Sequence, residues 1–252
     1  MANAPSVTDS TASHFTASDS ATRLVWDLPT RVFHWLFVLT ICAQYTTAKL
    51  GTTWMPWHFR LGFFMIGLLT FRIIWGFVGP KHARFSSFLK GPGTVLAYLK
   101  QVHKVKDALH SVGHNPLGAL MVIAMLALVA AQVTTGLFST DDIAFTGPYY
   151  PTVSNDLAER ITGWHHMIFN FIIAAAVLHI AAIAFYTFVK RQRLVPAMVH
   201  GHKPAEHVPA QESIPHSYLG RALIVILIAV GAVYLVQREA PPPAAPAESN
   251  YN

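Results

Sequence analysis

One cysteine, Cys42, is all the thiol chemistry this chain has, and it lies inside an apolar run. A single thiol excludes an intrachain disulfide framework, a cysteine-ligated iron–sulfur cluster or zinc site, and covalent attachment of haem through a CxxCH motif. Charge is scarce too: Asp, Glu, Lys and Arg make up 12% of the 252 residues, against 53% hydrophobic. That balance excludes a disordered polyelectrolyte and points to a membrane protein. The formal net charge of +6 does not imply nucleic acid, because the basic residues fall in particular loops rather than on one surface.

What is present in quantity is long apolar sequence. Five stretches are long enough to span or nearly span a bilayer: 30–48, 57–78, 116–138, 161–189 and 219–236. Pro116, after the turn-like HNP, suits a first helical position. None of the five contains Asp or Glu, which weighs against a transporter relaying protons or metal ions between histidines, since cation pathways use carboxylates. Lys81, Arg84, Lys90, Lys100, Lys104 and Lys106 lie between the second and third stretches, and Lys190, Arg191, Arg193 and Lys203 follow the fourth. The opposite connections hold only Lys49, or Asp141, Asp142, Asp156 and Glu159 against Arg160. The positive-inside rule then puts the N-terminus and both basic segments in the cytoplasm of a multi-pass protein of the bacterial inner membrane, with the C-terminus outside. TVLAYLKQVHKV, at 94–105, reads as a short interfacial helix.

The expected fold is all-α and integral to the membrane: a four-helix bundle over 26–195 and a fifth, C-terminal transmembrane helix over 217–238, reached through a Pro/His-rich cytoplasmic linker, 196–216. Residues 1–25, rich in Ser, Thr and Ala and without the apolar core of a secretory signal, read as a disordered cytoplasmic tail. Residues 239–252, rich in Pro and Ala, read as a disordered periplasmic one.

Histidine carries the chemistry. His165 and His179 are fourteen positions apart in the fourth stretch. At about 100° per residue that is within about 40° of four full turns, so both imidazoles leave one helix face, about 21 Å apart along the axis. His166, thirteen positions from His179, points about 140° away, so His165 is the better partner. Imidazole in lipid is costly unless something binds it. His34 opens the first stretch at the depth of His179, and His58 opens the second at the depth of His165. Matching depths pairs His34 with His179 and His58 with His165, four nitrogens at two levels, as two six-coordinate, non-covalently held b haems require. Haem propionates need cations: Arg31 is one turn from His34, Arg72 is fourteen residues beyond His58 on the same face, Arg60 is near the outer site, and Arg84 lies in the basic loop that Lys81 opens. The remaining histidines, His82 and His114 among them, lie in connections and read as solvated. A metal site at His200, His202 and His207 is disfavoured by irregular spacing in a proline-containing segment.

The segments WDLPTRVFHW, WHFRLGFFMIGLLTFRIIWGFVG, KHARFSSFLKGP, HNPLGALM and GWHHMIFNFIIAAAVLHIAA together resemble the bacterial cytochrome b561 and nickel-iron hydrogenase cytochrome b family, over about 26–203. The resemblance implies a four-helix bundle with two b-type haems on His34, His58, His165 and His179. It implies an electron-transfer subunit of an oxidoreductase complex, working between quinone or quinol in membrane lipid and a periplasmic redox protein, either a cytochrome c or a hydrogenase-like dehydrogenase. More compact family members imply the alternative of a stand-alone quinol oxidase of a small oxidant such as superoxide. Homo-oligomerisation is compatible with either.

Overall fold

The computed structural model describes residues 22–101 and 111–241. The sequence expectations for residues 1–21, 102–110 and 242–252, including most of both tails and the end of the interfacial helix, lie outside the described residues.

The chain is helical, with one two-stranded ribbon. In order come strand β1 (Thr22–Leu24), helix α1 (Leu28–Lys49), helix α2 (Met55–Val78) and the single turn α3 (Phe85–Phe88). Then come α4 (Pro92–Gln101), α5 (Pro116–Phe138), α6 (Asn155–Ala184), which continues as a π-helical turn over Phe185–Val189, α7 (Leu194–His200), strand β2 (His202–Pro204) and α8 (Leu219–Arg238). Starts are set by local chemistry. Asp27 caps α1 by accepting from Thr30 N at 2.9 Å, Asn115 caps α5 by accepting from Gly118 N at 2.7 Å, and Ser154 accepts from Leu157 N at the start of α6.

Four helices, spanning Thr52–Val78, Pro116–Phe138, Asn155–Val189 and Leu219–Arg238, are long and apolar enough to cross a membrane. The first of the five expected spans, α1, does not reach that apolarity. It has 22 residues, but Thr30, Arg31, His34, Thr40, Gln44, Thr46 and Thr47 dilute them. Outer faces fit lipid: Val177 and Leu178 on α6 are each 61% exposed and Leu227 on α8 is 63% exposed, aliphatic surface that bilayer hydrocarbon would cover.

α2 is the central helix, with α1 and α8 packed against it and α5 pairing with α6. An aromatic ladder runs from α1 to α2, Phe33 to Phe71 at 6.3 Å and Phe71 to Trp75 at 5.6 Å between ring centroids. α8 joins through Ala222, Val225 and Ala229, small side chains at helical spacing that let backbones approach. Arg221 at its start donates to Val78 O, the last carbonyl of α2, at 2.6 Å. Asp27 is the keystone of α1: its carboxylate, 1% exposed, accepts from Thr30 N, from Thr30 Oγ1 at 2.7 Å and from Trp75 Nε1 of α2 at 3.1 Å. Cap and interhelix tie are one group, so the rotation of α1 against α2 is set where α1 begins.

The stretch 196–216, whose composition reads as a linker, folds instead. α7, β2 and short 3-10 turns at Ala205–His207 and Ala210–Glu212 form a cap over the Lys- and Arg-rich end of the bundle. β2 pairs antiparallel with β1, residues that the sequence places in the N-terminal tail: Thr22 opposite Pro204, Arg23 opposite Lys203, Leu24 opposite His202. Gly201 (φ 86) ends α7, and a Cβ there would lie 2.6 Å from Trp26 O, so only glycine fits the turn. Val25, Trp26, Ala197 and Val208 make a second small core beneath the ribbon. The partners are almost the whole chain apart, which is why no local pattern announces them.

Asp27→Ala removes the cap and leaves the Trp75 indole donor only Thr30 Oγ1, at 3.2 Å, and the expected cost is about 1–3 kcal/mol. Thermal unfolding of the detergent-solubilised protein, followed by circular dichroism, should show a lowered midpoint, with Asp27→Asn, which keeps an acceptor oxygen, losing less.

Candidate functional site

α1, α2 and α6 bring the four sequence-predicted histidines together in two pairs. His34 and His179 have ring centroids 6.5 Å apart at the basic end of the bundle. His58 and His165 have centroids 6.4 Å apart at the opposite end. Two metal–nitrogen bonds of about 2 Å, plus about 1.1 Å from each nitrogen to its ring centre, put two imidazoles that share one ion about 6.3 Å apart. Both pairs have that spacing, whereas unliganded imidazoles in contact would hydrogen-bond or stack at closer range.

The far-end pair is held from behind. His58 Nδ1 lies 3.0 Å from Gln44 O, and His165 Nδ1 lies 2.9 Å from Gln132 O and 3.1 Å from Thr135 Oγ1. A carbonyl can only accept, so these partners assign the proton to Nδ1 in each ring and leave Nε2 carrying the lone pair. That is the arrangement of metal-binding histidines, whose second nitrogen donates to a carbonyl that fixes tautomer and ring orientation. The Gln132 amide nitrogen sits 3.0 Å from His165 Nε2, a hydrogen-bond donor on the lone pair a metal would take, and its Oε1 is buried without a partner.

A cavity of about 480 Å³ surrounds this pair, within the ordinary range for a site holding a prosthetic group. Gln44, Gly62, Gln132, Gly136 and Phe169 are among its walls, with Lys49 and the exposed His166 also lining it. Tyr45 and Phe169 stack across α1 and α6, centroids 5.4 Å apart and planes at 6°. Gly136 makes room for the ring, since a Cβ there would lie 3.0 Å from His165 Cε1, a contact tight enough to displace it.

The predicted arginines divide. Arg72 is 3% exposed and lies over the Phe85 ring at 4.9 Å, with Nη1 buried and without a partner. Arg31 donates from Nη1 to Val199 O of the cap at 2.5 Å and keeps a buried, unpartnered Nε. Arg60 is exposed, stacks on Trp57 at 4.8 Å and is not among the residues lining the cavity. Arg84 is exposed at the start of α3. The residues therefore fit haem. Two imidazole pairs are set at the spacing of shared iron, with one cavity of suitable size and buried cationic donors awaiting an acceptor.

The sequence reading leaves out Gln44, Gln132 and Thr135. Gln132 carries a signal of its own, a primary amide in a 23-residue helix whose other polar side chains are the hydroxyls of Thr134 and Thr135. It also misplaces two histidines. His82 and His114, expected to be solvated, are enclosed by the cap. His82 Nε2 lies 2.7 Å from Glu212 O, and His114 lies 4.8 Å from the Trp26 ring and 4.5 Å from that of Phe88. Burial, and then the positive charge of Arg72, holds the His114 imidazole neutral, with its pKa brought down to about 3. Burial likewise lowers Lys203 to about 8, while its ammonium donates to Ser111 O and Val112 O.

Comparison with known proteins accords with this geometry. The model of the prokaryotic cytochrome b561 family matches residues 25–201. A probable Ni/Fe-hydrogenase B-type cytochrome subunit of Azotobacter chroococcum mcd 1 is 27% identical over 217 residues, covering 70% of this chain and 86% of the relative. The protein of the same description in Azotobacter vinelandii is 27% identical over 220 residues, with 70% and 86% covered. That of Rhodobacter capsulatus is 25% identical over 215 residues, with 71% and 80% covered. No solved structure matches the chain significantly.

Gly136→Val should push the His165 ring and fill the cavity, roughly halving the haem-to-protein ratio measured by pyridine haemochrome. Gly163→Ala, whose Cβ meets nothing within 4 Å, is the control and should leave the ratio unchanged.

Proposed function

The chain belongs to the prokaryotic cytochrome b561 family, membrane b-type cytochromes of electron transport, and we propose that it carries two b haems, one between His34 and His179 and one between His58 and His165. Through them it passes electrons across the bacterial inner membrane, between the quinone pool and a redox protein on the periplasmic side. The observation that carries this reading is the pair of ring separations, 6.5 and 6.4 Å, at opposite ends of one bundle.

Haem supplies a one-electron couple at iron; everything else is the work of the chain. If His34 with His179 and His58 with His165 hold the iron, no coordination site would remain for oxygen, which would favour electron transfer over oxygen chemistry. Carbonyls of Gln44 and Gln132 hold the far-end rings in orientation and raise their basicity. In this reading α1 also crosses the membrane, since 22 residues reach about 33 Å, and the spans number five. Positive-inside places the basic end and the N-terminus in the cytoplasm. Arg31 and Arg72 serve the propionates there, with Arg84 at the loop entrance. At the periplasmic end Lys49, which lines the cavity, takes the part expected of Arg60. The description of the relatives as hydrogenase cytochrome subunits favours a hydrogenase-like dehydrogenase as the partner, making this chain the electron-transfer subunit of an oxidoreductase complex.

The reading is tested on the purified protein by a reduced-minus-oxidised spectrum with a pyridine haemochrome assay. The expected result is two b haems per chain, falling to about one when either His34 or His165 is replaced by alanine. Less than one haem in the unsubstituted chain, or two retained in every such variant, overturns it.

A further inference from the structure

At the basic end, four buried side-chain nitrogens have no partner: Arg31 Nε, His34 Nδ1, Arg72 Nη1 and His114 Nδ1. Each can donate, and nothing there accepts. Arg72 is the sharpest case, because a guanidinium does not give up its proton and cannot escape burial by becoming neutral. Among the described residues no carboxylate lies within ion-pair distance of it. Asp27 is close enough to be felt electrostatically, but its oxygens are committed to Thr30 and Trp75.

The surroundings are built to keep this cation in place and dry. Phe85 covers the guanidinium at 4.9 Å, and it reaches α2 only because position 76 is glycine: a Cβ there would lie 2.0 Å from Phe85 Cε2. Phe85 packs on Phe88, Phe88 on His114, and His114 on the edge of Trp26. His114 is within electrostatic reach of both Arg72 and His179. A charge and a polar ring enclosed by aromatic walls are costly unless an anion arrives to meet them.

We propose that Arg72 and His114 together form the seat of one propionate of the haem held between His34 and His179, the guanidinium supplying charge and the imidazole a second N–H. His114 is thereby a binding residue. This rests on the two-haem reading above, and the test separates the two. Haem content and the midpoint potentials of both haems are measured by redox titration of the purified full chain at one pH, for the unsubstituted protein, Arg72→Gln, Arg72→Lys, His114→Leu and His114→Gln. Removing charge or donor from a propionate seat favours ferric iron. Arg72→Gln is expected to lower the reduction equilibrium of one haem about tenfold, about 59 mV for one electron. His114→Leu should shift the same haem in the same direction by less, His114→Gln should recover part of that shift by keeping an N–H, and the other haem should stay unmoved. Loss of only that one haem in Arg72→Gln, with retention in Arg72→Lys, also supports the seat. Both potentials unchanged with both haems bound, or equal shifts of the two haems, or His114→Gln no better than His114→Leu, overturns it. An unsubstituted chain without two haems instead overturns the reading on which it rests.

Discussion

Imidazole nitrogens buried among apolar helices have to be matched by something, and that constraint organises this molecule. Lipid offers no hydrogen bonds, and the helices have already spent their own backbone groups internally. The chain meets the need by setting histidines in facing pairs and by giving the ring nitrogen of the far-end pair that does not face its partner a carbonyl behind it. The spacing within each pair is too wide for the rings to hydrogen-bond each other and is the spacing that two imidazoles sharing a metal ion would have.

Holding two such pairs to within a few tenths of an ångström requires helices that cannot rotate. On α6 the problem is solved by arithmetic, since one helix carries one member of each pair on one face. On α1 and α2 it is solved by the basic end. Asp27 caps α1 and binds Trp75 of α2 with the same carboxylate, and the aromatic ladder from Phe33 to Trp75 extends the contact along both helices. The cap of α7, β1 and β2 then closes over that junction, with Arg31 tied to Val199 O and Trp26 N to Gly201 O. The buried core gathers around α2, where side chains of α1, α5, α6 and α8 meet.

What could be read from the sequence was what repeats locally. The phase of His165 against His179, the exclusion of His166 and the matching of depths need only the helix period, and the facing pairs follow from them. The burial of Arg72 follows from its placement on the His58 face. What could not be read depends on contacts far apart in the chain. The segment around His200 to His216 has the composition of a linker, and only pairing with Thr22–Leu24 makes it a cap. His82 and His114 lie in connecting sequence, and it is that cap which buries them. That Lys49 lines the far-end cavity while Arg60 lies over the Trp57 ring is a matter of rotamer rather than of pattern. The weaker apolarity of α1 has the same origin as its usefulness. Gln44 and Thr47, which dilute it, are the residues that approach His58.

The two pairs use the same ligand type in different surroundings, and this difference is where a direction for electrons would originate. At the far end the ring nitrogens are anchored to neutral carbonyls, and an amide and a glycine shape the wall. At the basic end the donors are cationic or unpaired, and the nearest carboxylate is already occupied. Axial ligands being equal, the potential of iron is left to hydrogen bonds, burial and nearby charge. Positive charge favours the reduced form, so on the two-haem proposal the haem at the basic end would be the more oxidising of the two until its propionates offset that charge. How completely they are offset depends on how many of the unpartnered nitrogens at that end they reach. The arrangement of Arg31, His34, Arg72 and His114 is thus the part of the structure through which a gradient between the two ends of the bundle can be set.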